Sequence, residues 1–153
     1  MQTLEHLRHL LAYDDWANRR TLDTLRDQHS ERSLQILAHI LITKQEYFDR
    51  LHGKDSTGFN FWPDLTLDEC AQMIAATTTN FEKLLRDADE SILEQAAAYK
   101  TSEGVPFENS YRELLTHILF HSSIHRGNIV LKMREEGLEP PRIDYILFLR
   151  EQV

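Results

Sequence analysis

Cysteine is nearly absent from this chain: Cys70 is the only one in 153 residues. A single thiol closes no intrachain disulfide and builds no cysteine-type zinc site. Basic charge is also short. The 17 Lys and Arg against 25 Asp and Glu leave a net charge of −8. No Lys/Arg cluster or interleaving of aromatic and basic residues offsets that deficit, so no nucleic-acid partner is expected. Apolar runs are short as well, and residues 1–11 carry Glu5, His6, Arg8 and His9. That start reads as neither a signal peptide nor a membrane span, and the expectation is a cytoplasmic protein without a membrane partner. Glycine and proline number five and four, and they gather between long periodic segments. Such punctuation favours a few long helices over many short strands. The length suits one domain over residues 1–153, with a core that needs no covalent staples.

What is present is helical periodicity in four stretches. Residues 2–27 carry Leu4, Leu7, Leu11, Leu22 and Leu25 at helical spacing, with Asp14 and Asn18 interrupting the stripe on its buried side. Polar residues there must bond to one another or line a cavity. Residues 31–52 present two apolar faces, Ile36-Ile40-Thr43-Tyr47 and Leu34-Leu37-Leu41-Phe48. A helix apolar on both sides is covered on both sides, which suggests a bundle core plus a second contact such as a homodimer interface. Residues 53–65 lack periodicity and read as a long loop, whose Phe59, Phe61 and Trp62 offer further interface area.

The third helix, near 66–88, opens with the capping box Thr66-x-x-Glu69 and buries Cys70 on its stripe, as an inert thiol rather than a nucleophile. Residues 89–109 lose the pattern, and Tyr99 to Phe107, with Gly104 and Pro106, reads as an extended excursion or a loop. A second capping box, Ser110-x-x-Glu113, opens a fourth helix near 110–136. A short terminal helix over 143–150 is expected to dock Ile143, Ile146, Leu147 and Leu149. The sum is an all-α four-helix bundle.

The fourth helix carries His117, His121 and His125 at four-residue spacing. Stepping by 100° per residue places them with Leu114, Ile118, Ile124, Asn128 and Ile129 on one face. Arg112, Thr116, Ser123, Gly127 and Arg134 fall opposite. An imidazole pointed into a core needs a polar partner or a metal. All three cannot share one ion: eight residues of helix span roughly 12 Å, whereas two nitrogens on one zinc are at most about 4 Å apart. One helix supplies two ligands, 117/121 or 121/125, and a third must come from elsewhere. Alone, His39 on the second helix reads as a core histidine. No Glu has a His three residues later, which disfavours a di-iron carboxylate site, and HExxH is absent. Arg126 lies off the histidine face and suits a salt bridge or a helix–helix contact. Gly127 suggests close backbone packing. Glu46 reads as an exposed or salt-bridged carboxylate.

Several segments together resemble the DinB/YfiT-like family: Tyr13-Asp14-Asp15-Trp16-Ala17-Asn18, Leu37-Ala38-His39-Ile40, His117-x-x-x-His121-x-x-x-His125-Arg126-Gly127, and the tail Gly137 to Tyr145. Asn128 departs from the Gln that many relatives carry. The resemblance implies an up-down-down-up bundle with a long crossover, and frequent homodimers. It also implies a metal site made by His39, His121 and His125, with His117 beside it. Three neutral imidazoles suit zinc or nickel and leave at least one open position. Relatives include transferases and isomerases that use low-molecular-weight thiols such as bacillithiol or mycothiol. The function expected by resemblance is therefore a metal-dependent thiol S-transferase, with a small-molecule thiol as partner. A metal-dependent hydrolase and a non-catalytic metal- or small-molecule-binding bundle are the alternatives. Asp14, Asn18 and Tyr47 are candidates to line its cavity.

Overall fold

In the computed structural model, which describes residues 2–151, four long helices dominate. They are α1 (Thr3–Asp27), α2 (Glu31–Leu51), α3 (Leu67–Leu85) and α4 (Tyr111–Glu135), followed by the short α5 (Tyr145–Glu151). The starts of α2, α3 and α4 are built by side chains. Ser30 accepts from the Ser33 amide, and Thr66/Glu69 and Ser110/Glu113 form the two reciprocal capping boxes that the spacing predicts.

Contacts between helix ends set the directions. Arg8, early in α1, donates to the carbonyls of Leu85 and Ala88 at the end of α3, so α1 and α3 run antiparallel. Gln28, just past α1, exchanges hydrogen bonds with Glu139, just past α4, so these two run parallel. Ser30, at the start of α2, meets Glu136, beyond α4. The arrangement is up-down-down-up, and residues 52–66 cross over between the parallel α2 and α3.

Residues 89–110 hold more order than the sequence pattern suggests. A 3-10 turn (Glu90–Glu94) precedes strand β1 (Ala96–Lys100), which pairs antiparallel with β2 (Pro106–Ser110) in the register Ala96–Ser110 to Lys100–Pro106. The crossover laces onto this hairpin: the Ser56 amide donates to Lys100 O and the Gly58 amide to Ser102 O, at 3.0 and 2.9 Å. Gly58 turns the loop with φ 74°, a conformation that side chains with a Cβ rarely adopt.

The apolar core falls into two clusters. One gathers Leu4, Leu7, Leu11, Phe81, Leu85, Leu114, Leu115 and Ile118. The other gathers Leu22, Leu25, Ile36, Leu37, Ile40, Cys70, Ile74, Ile129 and Met133. Between them every long helix contributes a buried polar residue: Asp14 and Asn18, Thr43 and Lys44, Thr77, and Ser122 and Arg126. Asp14 accepts from Lys44 Nζ at 2.8 Å and from Arg126 Nη1 at 2.5 Å, and Asn18 also accepts from Arg126. The interruption of the α1 stripe is thus a bonded network, and Arg126 makes a buried salt bridge.

Four details differ from the sequence reading. Both faces of α2 are covered within the chain, by α3 and α4, which removes the ground first given for a homodimer. The core face of α4 runs through Tyr111, Leu115, Ile118, Ser122, Arg126, Ile129 and Met133, so Ile124 is exposed. The histidines sit at the edge of that face because it follows the packing of α1 and α2, not the histidine row. In the tail, Phe148 is buried and Ile146 exposed, since Phe148 packs among His9, Tyr13 and Trp16. Nothing lies within 4 Å of a Cβ placed on Gly127, so close packing does not explain that glycine. Among the described residues, no helix is long and apolar enough to cross a membrane.

Candidate metal centre

Three histidines from two helices converge beside the polar layer. His39 comes from α2, and His121 and His125 are one turn apart on α4. One ring nitrogen from each lies within 4.8 Å of the others. His39 Nε2 and His121 Nε2 are 3.1 Å apart, close to the roughly 3.4 Å that two imidazole nitrogens show on a tetrahedral zinc with bonds of about 2.1 Å. His117 is outside this group and packs on Tyr47, with ring centroids 4.7 Å apart. The α4 spacing left two pairings open; the tertiary structure brings His39 to the 121/125 pair.

The crossover determines which nitrogen of His39 faces the group. Phe61 O accepts from His39 Nδ1 at 2.6 Å. A carbonyl only accepts, so Nδ1 carries the proton and the Nε2 lone pair points toward His121. A ring nitrogen tied to a backbone carbonyl is the usual support of a metal-bound histidine. Trp62 then lies flat on His39, centroids 3.8 Å apart and planes within 2°, with the Arg32 guanidinium over its ring. Phe61 and Trp62, read from the sequence as interface aromatics, instead cover the histidine group.

Electrostatics keep the imidazoles neutral. Burial and the neighbouring His125, His39 and His117 push His121 down to about 3, against a weak opposing pull from Asp14. Burial also lowers His39 and His125; the His39 ring and Arg32 add to it on His125, while on His39 the Phe61 carbonyl works the other way and Arg32 adds to the lowering. Neutral rings have the lone pairs that a divalent ion needs. The donor set fits zinc or nickel on these grounds.

Two clefts flank the group. One, of about 300 Å³, is lined by His39, Thr43, Tyr47, Arg50, Phe61, His117 and His121, with Thr101 and Ser102 from the hairpin turn. The other, of about 330 Å³, touches Arg32, Trp62, His125 and Asn128. A larger cleft between α1 and α3, about 430 Å³, shares no lining residue with the histidines. Asp14 and Asn18 line neither flanking cleft; of the three cavity candidates only Tyr47 does, because Lys44 and Arg126 engage the other two.

The sequence profile of the DinB family matches residues 1–152. The chain belongs to the DinB family. Among solved structures, a DinB-like protein from Bacillus cereus superposes with a TM-score of 0.67 at 20% identity, covering 94% of this chain and 99% of its own. That likeness concerns the fold. Among curated proteins, none matches the chain. Within this DinB bundle, sequence reasoning missed Trp62, Phe61 and Arg50 as neighbours of the histidines. The one available signal was the aromatic density of residues 59–62 in a loop too long for a tight hairpin.

Cys70 stands apart from this chemistry. It is fully buried, and burial, with Glu69 adding to it, pushes its thiol up to about 11. It serves as a core side chain, as its place on the α3 stripe implies.

Proposed function

We propose that this DinB protein is a metal-dependent S-transferase in which His39, His121 and His125 hold zinc or nickel and a low-molecular-weight thiol is the co-substrate. The observation that carries the reading is the convergence of three neutral imidazoles with the His39 Nε2 lone pair turned inward. A divalent ion held there supplies positive charge that favours thiolate over thiol. The chain's own residues orient and shield. Phe61 O holds the tautomer of His39, Trp62 covers one face of that ring against water, and Tyr47 and His117 wall the adjoining cleft. The thiol releases its proton to solvent, its sulfur forms a bond to an electrophilic carbon, and the leaving group departs with the electron pair of the broken bond. No protein nucleophile is required, in keeping with the inert Cys70.

Metal content and thiol calorimetry test the reading together. Zinc measured by mass spectrometry should disappear in His121→Ala and remain near stoichiometric in His117→Ala; equal loss in both removes the ligand assignment. Thiol binding should need the metal and release a proton, seen by comparing two buffers of different ionisation enthalpy. Binding that ignores the metal, or none by common cellular thiols, favours a hydrolase or a non-catalytic binder. The homodimer remains a proposal, now placed on the exposed α4 residues Phe120, Ile124 and Leu131. Light scattering that returns the 18.0 kDa monomer across micromolar concentrations removes it.

A further inference from the structure

Arg50, near the end of α2, is only 4% exposed. Its Nε donates to Ser56 Oγ at 3.0 Å. Its guanidinium carbon lies 4.6, 5.4 and 4.8 Å from the ring centroids of Tyr47, Phe61 and Tyr99. Among the described residues, no carboxylate comes within salt-bridge distance of it, and its terminal nitrogens donate to no protein acceptor. Glu46, one turn earlier on α2, is also buried, but Oε1 of its carboxylate accepts from Lys54 Nζ at 2.6 Å. A buried cation without a counter-charge is costly to keep. The aromatic cage offsets part of that cost and leaves the terminal N–H groups unused.

Those N–H groups belong to a residue that lines the 300 Å³ cleft beside His121 and His117. Thr43, 3% exposed, lines the same cleft, and its Oγ1 has no hydrogen-bond partner. The hydroxyl-bearing residues Thr101 and Ser102 complete the rim. The cleft therefore joins the histidine group to a preformed cationic fork with unfilled donors. We infer that Arg50 binds the carboxylate of a small-molecule substrate whose reacting end lies at the histidines, with Thr43 as an accessory hydrogen-bonding group. The planar guanidinium offers two parallel N–H groups to one carboxylate, a match that an ammonium cannot make. The placement of the reacting end rests on the function proposed above; the carboxylate subsite itself does not.

Two probes separate these parts. Mercaptopropionate and mercaptopropanol, which share a thiol and chain length but differ in charge, are titrated calorimetrically into the zinc-loaded protein. Wild type should prefer the carboxylate by about 10- to 100-fold, the range of charged hydrogen bonds. That preference should fall to near unity in Arg50→Met and to an intermediate value in Arg50→Lys, with zinc content unchanged in both. Propionate, which has no thiol, is titrated into metal-free wild type while the arginine side-chain N–H resonances are followed by NMR. The Arg50 resonance should shift. A carboxylate preference lost with Arg50, or a propionate-induced Arg50 shift without any thiol binding, supports the subsite; the second result overturns the thiol reading alone. Equal affinity for both thiols overturns the subsite and leaves the thiol reading intact. An Arg50 resonance indifferent to propionate also overturns it. Should Arg50→Met fail to fold, Arg50→Lys and the wild-type NMR titration still decide the outcome. A lowered melting temperature with unchanged charge preference assigns Arg50 to holding the Ser56 loop only.

Discussion

Removing the Asp14 carboxylate should destabilise the protein more than removing either of its partners. Asp14 is fully buried. Burial alone would raise its pKa, but the charges and hydrogen bonds of Lys44 and Arg126 outweigh it and hold the carboxyl at about 2, below its usual 3.8. That difference corresponds to roughly 2–3 kcal/mol of stability at neutral pH. In Asp14→Ala, Lys44 keeps Asp15 at 2.8 Å, whereas Arg126, 2% exposed, retains the oxygens of Asn18 and Ser123 and the Tyr13 ring but no carboxylate. An uncompensated buried charge adds to the loss, and breaking such a pair from one side typically costs about 3–5 kcal/mol. The expected loss is therefore about 3–5 kcal/mol, a large share of the roughly 5–15 kcal/mol that holds a domain folded.

Arg126→Met should be milder, because Asp14 keeps Lys44. The double variant Asp14→Ala/Arg126→Met should recover at least about 1 kcal/mol relative to Asp14→Ala alone, since the orphaned cation is gone. Urea denaturation of the metal-free protein at pH 7, followed by circular dichroism, measures all three. A loss under about 1 kcal/mol in Asp14→Ala, or additive losses in the double variant, would refute the reasoning.

Further outcomes follow from the histidine group and α4. The folded pKa values of His39, His117, His121 and His125 are all depressed. Between the unfolded histidine value of about 6.5 and the value of about 3 for His121, the unfolded chain therefore binds more protons. The urea midpoint of the metal-free protein should fall as pH drops below about 6.5, and a flat profile from pH 7.5 to 5 would contradict this. Trp62 stacks on His39 while Trp16 lies near Arg20 and Glu151. Zinc should accordingly change tryptophan emission in wild type and Trp16→Phe but not in Trp62→Phe; a response that survives in Trp62→Phe would place the ion elsewhere. Gly127→Ala should raise stability by up to about 1 kcal/mol, because the site is helical and open. A loss on thermal melting would mean that Gly127 has a partner outside the chain.

The sequence alone determined the helices, because their signals are local. Apolar period, the boxes Thr66/Glu69 and Ser110/Glu113, and glycines beyond the helix ends need no knowledge of neighbours. It also limited α4 to two ligands for one ion, since helix rise bounds the reach of His117, His121 and His125. His39 was named through family resemblance, not through its own surroundings. What lay outside local pattern was decided by packing. The sequence offers Arg126 a salt bridge or a helix–helix contact, but its core position on α4 depends on Asp14 and Asn18 arriving from α1. Trp62 and Phe61 reach the histidines through a crossover with no period of its own, and Arg50, on α2, is tied to that crossover through Ser56. The path of the crossover depends on backbone bonds to a hairpin some 40 residues further along. Contacts of that separation leave no repeat in the sequence, so only the folded chain joins the histidine group to the cleft beside it.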